Sequence, residues 1–119
     1  MENLKVKIRH LLTGITTNPK MFFVQPDFAA LHFFMEGYFL AVEDATGISL
    51  NRNFSTWLVH EHGAKFGYAY SVAWPYYILG AMEKCDEKLA YNTALEELQK
   101  FIDAPNAFEN QYFAEIRGI

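Results

Sequence analysis

In DEKLAYNTALEELQKFID, residues 86 to 103, the apolar side chains Tyr91, Ala94, Leu95, Leu98, Phe101 and Ile102 recur mainly at intervals of three and four. That spacing lays one stripe along a helix of 3.6 residues per turn and fits no strand, whose faces alternate at two. Asp86 is placed to cap the first turn. Glu87, Lys88, Asn92, Glu96, Glu97, Gln99 and Lys100 form the expected wet face, with Glu96 and Lys100 as an i,i+4 pair, and Pro105 ends the segment. The same interval runs between most of the chain's breaks, at Asn18-Pro19, Pro26, Gly47, Gly63, Gly67 and Pro75. An all-α fold follows.

The other helices can be placed from the same rules. Residues 2 to 13 set Leu4, Ile8, Leu11 and Leu12 on one face, and Gly14 is the expected stop. A second helix is expected to start at Pro26 and end at a left-handed Gly47. Its stripe is Phe28, Leu31, Met35, Tyr38, Phe39 and Val42, while Phe33, Phe34, Leu40 and Ala41 cover much of the rest. A helix apolar nearly all round reads as central, and Gly37 within it as a site of close approach by a neighbour. Asn53 caps the expected third helix, FSTWLVHEH, and Gly63 closes it. Another apolar helix is expected near 73 to 82, with Pro75 in its first turn. Phe108, Tyr112 and Ile116, spaced at four, predict a last helix. With 119 residues, 51% of them hydrophobic, the chain can bury one core and has little room for a second. The expectation is a compact single-domain bundle, 1–119, of five to six helices around a central apolar helix.

Charge narrows the partners. Residues 1 to 60 carry five Lys/Arg and five Asp/Glu, net 0, and residues 61 to 119 carry five and nine, net −4. Nucleic acid and anionic membranes both need a basic footprint, so neither is expected as a partner, whereas a basic protein is. Cys85 alone permits no intrachain disulfide, the first residues lack a signal-peptide pattern, and no apolar run is long enough to span a bilayer. A cytoplasmic protein is expected.

Candidates for chemistry are few. WLVHEHG, residues 57 to 63, holds two histidines around a glutamate. On a helix, His60 and His62 point about 200° apart and cannot meet on one ion; the zinc-protease pattern needs them four apart. No metal and no cofactor is expected. Cys85 lies in no nucleophile motif, and there is no phosphate-binding loop or nucleophile elbow. Glu36 and Glu43, seven apart, share a helix face. Glu36 lies within an apolar helix and needs water, a cation or a hydrogen bond, a structural ion pair being its expected fate. No catalytic residue is assigned, and an enzyme is not expected. Tyr68, Tyr70, Trp74, Tyr76 and Tyr77 form an aromatic cluster that suits either a core or a binding surface.

Three pieces, NPKMFF at 18 to 23, LHFFMEGY at 31 to 38 with Ala41, and the tryptophans Trp57 and Trp74, resemble a group of small bacterial proteins. That group is similar to the immunity proteins encoded beside contact-dependent inhibition and other polymorphic toxins. Asn18 stands where the group usually has Arg, and no toxin-contact motif is carried over. The resemblance implies a protein that binds a cognate toxin C-terminal domain and covers its active site; many such domains are basic nucleases. Acidic side chains suit that contact, so Glu83, Asp86, Glu87, Glu96 and Glu97, with Tyr76 and Tyr77, are the expected partner-binding residues. Glu83 and Glu87 would lie one turn apart if the last long helix began early. The alternative is a small-molecule-binding or regulatory helical domain, its pocket lined by aromatics around Trp57 and Trp74.

Overall fold

The computed structural model describes residues 2–67 and 72–110, and these form helices and turns without a strand. The chain is all-α, as the spacing predicts. α1 is Glu2–Thr17, followed by a 3₁₀ turn at Pro19–Met21. α2 is Phe28–Thr46 and α3 is Leu50–Phe66. α4, Trp74–Tyr76, runs into a π-helical segment, Tyr77–Met82, and α5 is Glu87–Ile102. α5 packs against α1, α2, α3 and the π-helical segment, so it is the hub of the bundle. Its inner face, Ala90, Ala94, Leu95, Leu98, Phe101 and Ile102, is buried, while Tyr91 is only half-buried.

At the centre, Phe54 of α3 meets Trp74 of α4 and Phe101 of α5, each ring centroid 5.0 Å away. Trp74 and Tyr77 are therefore core residues. The Trp74 indole N–H donates to Asn51 Oδ1 at 3.0 Å, and the Tyr77 hydroxyl donates to the Gly67 carbonyl at 2.8 Å. Buried polar groups of this kind need partners, and these have them. Tyr68 and Tyr70 of the expected aromatic cluster lie outside the described residues, as do Tyr112 and Ile116 of the expected last helix.

Several helix ends differ from the sequence expectation. α1 runs through Gly14 to Thr17; a Cβ at Gly14 would stand 3.1 Å from the Phe22 ring, so this glycine admits an aromatic neighbour rather than stopping the helix. α2 starts after Asp27, whose carboxylate caps it by accepting from Ala30 N at 2.8 Å, so Pro26 precedes the helix. Gly47 ends α2 at φ 79° as expected. α3 begins at Leu50 and passes through Gly63, which is buried; Gly67 is its C-cap. Asn53 is thus no cap. It lies buried inside α3 and donates to the Ala107 carbonyl at 2.9 Å, tying α3 to the turn after α5. Asp86 caps α5 as expected, accepting from Leu89 N.

The expectation that α2 is packed on several sides holds for its inner half. Phe28, Leu31, Met35, Phe39 and Val42 are buried, but Phe33 and Leu40 are 69% and 56% exposed. Gly37 faces open space, with nothing within 4 Å of a built Cβ, so no neighbouring helix approaches there.

Candidate partner-binding site

The seven expected contact residues do not form one surface. Glu97, placed on the wet face of α5 by its chemistry, is 4% exposed. Its carboxylate lies 2.5 Å from His62 Nε2 and 3.3 Å from Lys100 Nζ. Lys100 therefore pairs with Glu97, and the expected pairing with exposed Glu96 is replaced. Tyr77 is 2% exposed and belongs to the core. Glu83 accepts a hydrogen bond from the Thr93 hydroxyl at 2.5 Å, and Asp86 is committed to its cap.

Glu83 and Glu87 are not one helical turn apart, because Lys84 and Cys85 come between them with φ of 49° and 70°. Only Tyr76, Glu87 and Glu96 of the seven remain exposed without one of these structural duties.

The HEH motif resolves similarly. It lies inside α3, a turn before its end, rather than at the C-terminus. His60 is exposed while His62 turns inward to Glu97, so the two diverge as the helix period requires. No group of three His, Cys, Asp or Glu able to hold a metal occurs among the described residues. Glu36 finds His32, Oε1 to Nδ1 at 2.7 Å, the structural pair expected of it. Cys85 is exposed in its strained turn.

The unexpected feature is the outer side of α2. Phe33, Gly37, Leu40 and Asp44, at intervals of four, three and four, fall within about 60° of one another on the helix. All four are exposed. Two apolar knobs thus flank a notch at Gly37, with a carboxylate at the far end. Glu36 and Glu43 line one side of this ridge. On the other side Phe34 meets Phe22 and Phe23 at centroid distances of 6.3 and 5.7 Å, and the loop around them exposes Met21 and Val24 at 80% and 102%. Phe33 and Leu40 on the ridge, and Met21 and Val24 on the loop, are the most exposed large apolar side chains of this half of the described residues.

The segment that carries the ridge is acidic, with Lys20 and Arg52 standing just outside it. Residues 21 to 51 hold Asp27, Glu36, Glu43 and Asp44 and not one Lys or Arg. Counting by halves of the chain hides this, because Lys5, Lys7, Arg9 and Lys20 offset it upstream.

A cleft of about 220 Å³ opens elsewhere, lined by Trp57, His60 and Glu61 of α3 and by Phe101, Asn106 and Glu109 around the end of α5. Trp57 is the one tryptophan on it. No helix among the described residues is long and apolar enough to cross a membrane. No family model, no curated protein and no solved structure matches the chain.

Proposed function

We propose that the chain is an immunity protein: a small helical domain that binds a cognate toxin C-terminal domain and neutralises it by covering its active site. The observation that carries this reading is the exposed apolar ridge of α2 with carboxylates around it. A chain this small that leaves Phe33, Leu40, Met21 and Val24 to water is built to have them covered by a partner. The acidic surroundings select a basic partner and speed its approach. A basic, nuclease-type toxin domain meets that requirement, and the protein acts by binding rather than by chemistry of its own, in the cytoplasm where such a toxin arrives.

The test is growth rescue. Basic toxin domains are expressed one at a time in a sensitive bacterium, with and without this chain. One domain should lose its toxicity and copurify with the chain at equal stoichiometry. If no domain is neutralised, including any encoded beside the gene for this chain, the proposal fails.

A second reading has its own observation, the Trp57 cleft, whose mixed aromatic and polar walls suit a small planar ligand. A ligand screen by thermal shift tests it. A hit whose effect Trp57→Ala abolishes favours this reading, and a chain that no ligand stabilises disposes of it.

A further inference from the structure

We infer that the occupant of the α2 ridge is an amphipathic helix of the partner bearing Lys or Arg beside its apolar stripe. The inference rests on the partner-binding reading above and names the face and the chemistry it takes. Phe33 and Leu40 stand seven residues apart with Gly37 between them, exposed and with no atom within 4 Å of a built Cβ. Knobs two turns apart around a notch are the complement of a second helix, whose own side chains seat in the gap. Exposed Ala41 beside the notch keeps the approach open.

Charge then chooses among occupants. Glu43 lies along one flank and Asp44 at the far end, beside the Glu36–His32 pair, while Asp27 is held in its cap; the segment from 21 to 51, between Lys20 and Arg52, carries no Lys or Arg. A second copy of this chain would set these carboxylates against their own kind, and like charges across an interface cost affinity. An anionic membrane surface is repelled for the same reason. A helix with cations flanking Leu- or Phe-type residues satisfies both the apolar ridge and its acidic border.

The experiment uses the full chain and two fluorescein-labelled helical peptides, one of Leu and Lys at heptad spacing and one with every Lys replaced by Glu. Anisotropy should show the cationic peptide binding at least tenfold more tightly than the acidic one. Binding should fall a further tenfold or more in Phe33→Ser/Leu40→Ser, which alters no charge, and stay unchanged in Leu89→Ser, an exposed apolar position on α5. Both variants change exposed side chains, and coincident thermal unfolding checks that they fold. Equal binding of both peptides, or a Phe33→Ser/Leu40→Ser variant that binds as before, overturns the inference. So does light scattering that finds a dimer which this variant dissolves, since the occupant is then a second copy. The two proposals fail separately. A toxin domain neutralised equally by Phe33→Ser/Leu40→Ser removes this face and leaves the immunity reading. Ridge-dependent peptide binding in a chain that neutralises no toxin removes the immunity reading and leaves the face.

Discussion

Replacing Gly37 by Ala tests the openness of α2 directly. Gly37 lies in the helix interior, and an added Cβ meets nothing within 4 Å. The substitution therefore changes only backbone propensity, which favours Ala over Gly by about 0.8–1 kcal/mol in a helix. In a domain of this size, 1 kcal/mol raises the unfolding midpoint by roughly 3–6 °C. Gly14→Ala is the matched comparison: the same change within α1, but with the new Cβ 3.1 Å from Phe22 Cζ and 3.3 Å from Cε2. The Phe22 ring must move by a few tenths of an ångström, so its gain should be smaller by about 0.5 kcal/mol or more. Urea titrations followed by far-ultraviolet circular dichroism, with unchanged slopes, give both values. A Gly37→Ala variant that is less stable than wild type refutes the argument, because it means that some group occupies the notch in the isolated protein.

Other positions give equally definite signs. Glu97→Ala should destabilise by about 2–3 kcal/mol, since it strips a buried carboxylate from His62 and Lys100; Glu96→Ala, at the exposed position beside it, should stay within about 0.5 kcal/mol in the same urea assay. Tyr91→Phe should stabilise by about 1 kcal/mol, because the buried Tyr91 hydroxyl has no hydrogen-bond partner among the described residues. Burial also raises the Tyr91 pKa above 10.0. Its contribution is thus intact below pH 10.0 and lost as pH rises through the folded value. The urea midpoint should therefore fall less between neutral pH and above pH 10 in the Phe variant than in the wild type. Lys84→Gly should add about 1 kcal/mol by relieving a left-handed backbone at φ 49°, measured as a rise in the thermal midpoint.

The helices were legible because their apolar residues carry the period, and the long, regular α5 was read almost to the residue. Glycines were the main source of wrong ends. Gly14 and Gly63 sit inside helices and Gly47 terminates one, yet all three look alike in sequence; what distinguishes them is the Phe22 ring, burial within α3, and a positive φ. Glu97 departs from its expected wet face for a different reason. It borders the Ala94–Leu98–Phe101 stripe, and the partner that makes its burial tolerable, His62, is 35 residues away in the chain. The candidate surface was hidden by a sound rule. Apolar residues usually mark a core, so Phe33 and Leu40 suggested a helix packed all round, whereas α3 and α5 cover only the far side. The acidic bias of residues 21 to 51 was visible in the sequence, but only in a window matched to that helix.

Asn110 gives the fold a clasp. Its side-chain carbonyl accepts from Ser49 N at 2.9 Å and its amide donates to the Gly47 carbonyl at 2.8 Å, so one side chain seals the turn between α2 and α3 from 61 to 63 residues downstream. Synthesis delivers that clasp late. Local helices form in microseconds or less, whereas contacts of long sequence separation wait for the chain that makes them. On the ribosome, α2 and α3 emerge as a hairpin whose turn stays unlatched until Asn110 arrives. The buried stripe of α2 waits in the same way for α5, which packs against it, so a nascent chain shows both faces of α2 until that helix has emerged.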